Sequence, residues 1–208
     1  MAIIKSGATS DQWTIDPTSK SGRVSLYDDA GRSVLPQTKQ TFYASGTFTP
    51  AATPTDLITI FGSATKTVRI VSFEVETTNT AAGSQQFFLI KRSSANAGGT
   101  FVTATAVASD SNDSASATAG HYTANATALG TTVGTIRTVR IASPVAVPGS
   151  FAGVSIIAGA DLLELGSGAN LQKPIVLRGT AQGLCLNFAG AALVAGQTHA
   201  YTIVWTEE

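Results

Sequence analysis

The sequence predicts an all-β protein, with an antiparallel β-sandwich or jelly-roll body and a small N-terminal β-ribbon arm. Three observations predict it. Thr65 to Glu76 (TKTVRIVSFEVE) alternates apolar and polar residues, the period of a half-buried strand. His199 to Glu207 (HAYTIVWTE) does the same, with Tyr201, Ile203 and Trp205 on one face and Ala200, Thr202 and Thr206 on the other. Between these stretches, short β-rich runs are separated by turn signals, and none combines a helical period with convincing caps.

Within the first stretch the phase slips. Val68 and Ile70 share one face, whereas Val71, Phe73 and Val75 share the other. A β-bulge does this, because one extra residue re-aims every later side chain. Burial on both faces of a sandwich strand is the alternative. Either makes this a central strand, and the C-terminal stretch is its natural counterpart.

Residues 1 to about 35 read as a unit of their own. Ile3-Ile4 opens it and SGATSD turns the chain. Trp13 to Asp16 is a short strand, Asp16-Pro17 starts a turn, and Arg23 to Tyr27 alternates with Val24 and Leu26 on one face. Asp28-Asp29-Ala30-Gly31 turns again. The apolar set of this hairpin or ribbon is Ile3, Ile4, Trp13, Ile15, Val24, Leu26 and Tyr27. Ordering a residue costs roughly 1–2 kcal/mol in backbone entropy. A fully buried large apolar side chain gives back only about 1.5–3 kcal/mol. A two-faced ribbon cannot bury such a set by itself, so these residues are expected to bind an outside surface.

Residues 36–56 carry Pro36, Pro50 and Pro54 and read as a connector with a short strand near Thr41 to Phe48. The body is then 57–208. Its expected strands are Leu57–Phe61, Lys66–Thr77, Gln85–Arg92, Phe101–Val107, Thr135–Ile141, Val154–Ile157, Asp161–Leu165, Pro174–Arg178, Gly183–Phe188 and Thr198–Thr206. Asn79 to Gly83, Asn96 to Gly99 and Ala189-Gly190 are turns between them. The best helix candidate, Tyr122 to Leu129, is a weak one. The longest break, Ser109 to Gly120 (SDSNDSASATAG), is a loop of the length that is usually functional or flexible.

Composition narrows the function. With 13 basic and 13 acidic residues the formal net charge is zero, which does not suit a nucleic-acid binder. Charged residues make up 12% of the chain, against the usual ~25%, and Ala, Gly, Ser and Thr take their place. A surface so poor in charge suits contact with other protein. No run approaches the ~20 apolar residues of a membrane span, so no membrane partner is expected. The opening MAIIKSG lacks a basic stretch followed by a long apolar run, so no secretory leader is expected.

No chemistry-bearing motif stands out, and no catalytic residue, metal site or cofactor is expected. The single cysteine, Cys185, excludes an internal disulfide and reads as a small buried hydrophobe on the strand face it shares with Asn187. His121 and His199 are scattered, short of the three or four ligands zinc requires. Asp110, Asn112 and Asp113 do not match a calcium loop and read as solvated. Glu74 and Glu76 share a strand face; glycoside hydrolysis uses two facing carboxylates, but this spacing more often marks a solvated face. Asp161 and Glu164 read as strand-edge charges. No nucleophile elbow and no phosphate cradle are present. For carbohydrate, Tyr43, Phe101, His121 and Tyr122 are candidates through their closeness to loops.

The opening segment nevertheless resembles a known group. Ser6, Gly7, Ile15, Asp16, Lys20, Arg23, Val24, Leu26, Tyr27 and Asp28 follow the pattern I-x-x-S-G, then apolar-x-x-D, then K-x-x-R-V-x-L-Y-D. That pattern is similar to the short N-terminal segment of tailed-bacteriophage virion proteins. Lys173 to Thr180 (KPIVLRGT) and Val204 to Glu208 (VWTEE) resemble C-terminal domains of the same group. The resemblance implies a virion structural protein, either a head decoration or fibre or a tail appendage. It also implies a trimeric jelly roll held by an extended arm. The partners expected are further copies of the chain and a major capsid or tail protein. A surface glycan or receptor is the alternative partner, and an enzyme such as a depolymerase is the third reading.

Overall fold

The inward-pointing residues of two long strands organise the fold. The computed structural model describes residues 14–15, 22–23, 39–81, 83–143, 156–164 and 174–208, the first two pairs, 141–143 and 156–164 by their backbone. The chain divides into two units, Met1–Lys39 and Gln40–Glu208. In the first, β1 (Thr14–Ile15) and β2 (Gly22–Arg23) pair antiparallel, with Ile15 opposite Gly22.

The second unit contains β3 (Gln40–Phe48), β4 (Asp56–Phe61), β5 (Val68–Asn79), β6 (Gly83–Arg92), β7 (Thr100–Thr103), β8 (Val107–Ala108) and β9 (Thr118–Ala124). It continues with β10 (Thr132–Ser143), β11 (Ile156–Glu164), β12 (Ile175–Leu177), β13 (Gly183–Asn187) and β14 (Thr198–Glu207). Two antiparallel sheets result. The first runs β10-β6-β13-β4-β9-β7, and the second runs β11-β5-β14-β3-β8 with β12 also on β5. Pairing is nested: β3 with β14, β4 with β13, β5 with β11 and β12, and β6 with β10. First meets last and the pairs close inward, which is the winding of a jelly roll. The segment β7–β9 is inserted between β6 and β10 and widens both sheets.

The core follows the alternation of β5 and β14. Val68, Ile70, Phe73 and Val75 point inward from β5, and Tyr201, Ile203 and Trp205 from β14. The phase slip is a bulge: Val204 lies opposite Ser72 and Trp205 opposite Ile70, leaving Val71 as the extra residue. Phe42 from β3 stacks on Trp205 at 5.7 Å, while Ile58, Ile60, Leu184, Leu186, Phe87 and Leu89 close the core from the first sheet. β13 does not alternate in burial, and β4 is buried from Asp56 to Ile60, because both faces of these strands are covered.

Several elements differ from the sequence reading. The short strand expected near Thr41 to Phe48 is present as β3, but it is built into the second sheet, nine residues in continuous register with β14, rather than standing in a connector. The expected strand Phe101–Val107 is two strands, β7 and β8, one in each sheet. Of the expected strands Val154–Ile157 and Asp161–Leu165, the described residues belong to one strand, β11, whose register shifts between Asp161 and Leu163, while 154, 155 and 165 lie outside the described residues. Thr118–Ala124, split between the polar loop and the helix candidate, is strand β9, held between β4 and β7. Among the described residues no helix occurs.

Candidate functional site

Of the expected partner-binding residues, Ile3, Ile4, Trp13, Val24, Leu26 and Tyr27 lie outside the described residues, and Ile15 is described by its backbone in β1. Among the described residues of the second unit, three polar groupings and one surface trough bear on function.

The first grouping lies on the outer face of the first sheet. A bulge at Leu57 turns Asp56 toward the face that carries Asn187. Asp56 Oδ1 accepts from Arg92 Nη2 and from Asn187 Nδ2, both at 2.6 Å. Its Oδ2 accepts from Arg92 Nε at 2.5 Å and Asn96 Nδ2 at 2.8 Å. Arg92 Nη1 donates to the Gly130 carbonyl at 2.7 Å and to Thr132 Oγ1 at 2.9 Å. Burial works against the Arg92 charge, but Asp56 outweighs it and raises the pKa above its ordinary value. Asn96 Oδ1 also accepts from Gly130 N at 2.8 Å, so the network fastens the insertion to the sheet. Gly98 and Gly99, both at positive φ, turn the chain there. Cys185 lies on this face, fully buried, and burial pushes its thiol pKa up. A thiol so placed is inert as a nucleophile.

The second grouping is centred on Glu207, at the end of β14. Its carboxylate accepts from Trp205 Nε1 at 2.9 Å, from Ser116 N at 2.9 and 3.0 Å, and from Ala117 N at 2.8 Å. Lys66 Nζ lies 3.3 Å away and also donates to Gln40 Oε1 and the Ser114 carbonyl. Gln40 Nε2 donates to Asp113 Oδ1 at 2.6 Å. The polar loop 109–117 is therefore fastened at its far end by a buried carboxylate.

The third grouping is the pair of histidines. Both lie between the sheets rather than at loop surfaces. His121 is 8% exposed and His199 0%. Tyr122 is buried as well, its ring 4.9 Å from Phe101, which in turn meets Phe61 at 5.7 Å. His121 and Tyr122 are thus removed as carbohydrate contacts, and Phe101 is half-buried in packing. Alternation in β9 sends His121 inward and Tyr122 to the covered outer face.

Tyr43 is the one of the four that remains exposed, at 43%. It stands on the outer face of the second sheet, two positions from Ser45. There a trough of about 250 Å³ is lined by Ser45, Thr47, Glu74, Glu76, Ala200 and Thr202. The central strand supplies Ala200 and Thr202 while β5 supplies the longer glutamates, and this difference in side-chain length makes the hollow. Glu74 and Glu76 are exposed, as the spacing predicts. Among the described residues no group of three or more His, Cys, Asp or Glu could hold a metal ion.

No family model, no curated protein and no solved structure matches the chain. The functional reading therefore rests on its own residues. Periodicity could not flag Asp56, Arg92 or Glu207, because each looks like an ordinary charge at a strand end.

Proposed function

We propose that this chain is a non-enzymatic structural component of a tailed-bacteriophage particle. In this reading it is a capsid decoration or head-fibre protein, located in the virion. Its first ~35 residues anchor it to a major capsid or tail protein, and its β body assembles as a homotrimer. The observation that carries the reading is the division of the chain. Gln40–Glu208 closes a jelly-roll core by its own strands, while Met1–Lys39 is a separate unit with its own β pairing. An arm rich in apolar residues on a self-sufficient body is the build of an attachment protein. The resemblance of residues 3–28, 173–180 and 204–208 to virion proteins supplies the particle.

Gold-labelled antibody against the body, applied to purified particles under the electron microscope, tests it. Label on the head is expected. Particles that carry no label would overturn the proposal, and label at the tail would move the protein to the appendages.

A second reading, a receptor- or carbohydrate-binding module, has one observation in its favour. Exposed Tyr43 lies on the same sheet face as the hydroxyl- and carboxylate-lined trough, and sugars are held by aromatic faces together with such groups. A glycan array probed with the whole chain decides it. Binding lost in Tyr43→Ala supports this reading; an array without a bound glycan removes it.

A further inference from the structure

Both histidines of the chain enter one layer between the sheets. His121 comes from β9 of the first sheet, and His199 from β14 of the second. Phe48, at the end of β3, meets both. Its ring stacks on His121 at 4.1 Å between centroids and lies 6.0 Å from His199. The Tyr201 hydroxyl, from β14, shares a hydrogen bond with His121 Nδ1 at 3.2 Å across the gap. Gly46 makes room for this ring, since a Cβ there would lie 3.0 Å from it. Phe188 and Phe87 present their rings to His199 at 5.2 and 6.2 Å. Thr77, from β5, shares a hydrogen bond with His199 Nδ1 at 2.9 Å, while Nε2 has no partner among the described residues.

We infer that this layer is an acid-sensitive joint, and that protonation of the two histidines opens the sandwich at the end where Phe48 and His199 meet.

The surroundings carry the argument. From β3 the neighbour is Phe48, from β4 Ile58, from β5 Thr77 and from β6 Phe87; Phe188 follows β13, and β14 adds Tyr201. Among these the titratable groups are the histidines themselves and Tyr201, whose hydroxyl burial pushes up to about 12. Glu76 precedes Thr77 on β5, but its residue is exposed on the outer face. Among the described residues no counter-ion faces either ring, and a buried charge without a partner is strongly disfavoured. Burial accordingly lowers His199 to about 4, with the Glu76 backbone carbonyl acting the other way without offsetting it. Burial lowers His121 as well.

In the unfolded chain both rings titrate near the ordinary ~6.5. Between that value and about 4 the unfolded chain binds more protons than the folded one. Stability is therefore full above the unfolded value, falls as the pH drops through this window, and levels off below it. At pH 5, His199 alone lowers the ratio of folded to unfolded protein about 30-fold relative to pH 7.5.

Urea unfolding of the whole chain at pH 7.5 and pH 5.0, beside His199→Gln, measures this. The variant is expected to lose about 30-fold less in folding equilibrium between the two pH values than the natural chain. Equal pH dependence would overturn the inference. Imidazole NMR on the native chain decides the matter even where the variant fails to fold. The His199 ring should stay neutral at pH 5.5; a ring that titrates near 6.5 in an intact fold overturns the joint. Amide exchange at pH 5 should rise first at Phe48 and His199. An equal rise around Phe42 and Trp205, toward the other end of the same strands, would overturn its local character.

Discussion

Asp56 and Arg92 form a buried two-point ion pair in which both carboxylate oxygens and two guanidinium nitrogens are engaged, 36 positions apart in the chain. Asn96 and Asn187 complete the acceptor sites of Asp56, so no lone charge remains. Such a pair adds little net stability over an apolar one, yet it is costly to break. Asp56→Ala should cost about 3–5 kcal/mol, because it strands the Arg92 charge. Urea titration measures this, and a loss below about 1 kcal/mol would show that water reaches Arg92 in the variant.

Phe73 is completely buried at the centre of β5. Phe73→Ala should cost about 3–5 kcal/mol through lost transfer energy and the cavity it leaves. The same titration reads it. A loss under about 1 kcal/mol would contradict the tight packing of Phe73 against its neighbours.

Glu207 should govern the order of the polar loop more than the stability of the sandwich. Glu207→Gln keeps the shape but removes the charge that Ser116 N, Ala117 N and Lys66 meet. Hydrogen bonds to a charged group contribute about 1.5–3 kcal/mol. Limited proteolysis should cut the variant within residues 109–117 faster than the natural chain. An unchanged cutting rate would mean that the remaining contacts hold the loop.

Deleting residues 1–35 should leave a folded body that no longer enters particles. Circular dichroism checks the fold and co-sedimentation checks incorporation. Normal incorporation of the truncated chain would refute the anchoring role of Ile3, Ile4, Trp13, Ile15, Val24, Leu26 and Tyr27. A truncated chain that fails to fold would place the arm in the body's own core.

The body should be a homotrimer at micromolar concentration. Light scattering should give three times the mass of the 21.2 kDa chain. A monomer mass would refute the trimer for the isolated protein.

The sequence alone determined the architecture and the inward set of the long strands. Alternation is a local property: each residue of a strand points opposite to its neighbour, so Phe73, Val75, Tyr201, Ile203 and Trp205 declare their face without reference to the rest of the chain. The phase slip between Ile70 and Val71 was legible for the same reason, but only the pairing with β14 decided that it is a bulge. The tertiary structure alone decided where the polar residues went. Thr118–Ala124 mixes Gly, His and Thr behind a polar loop, so only its place between β4 and β7 makes it a strand and buries His121 and Tyr122. Asp56 with Arg92, Glu207 with Ser116, and His121 with Tyr201 are each joined across long stretches of chain. A buried polar group is costly unless a partner reaches it, and for these groups that partner is supplied by the winding of the sheets rather than by neighbouring sequence.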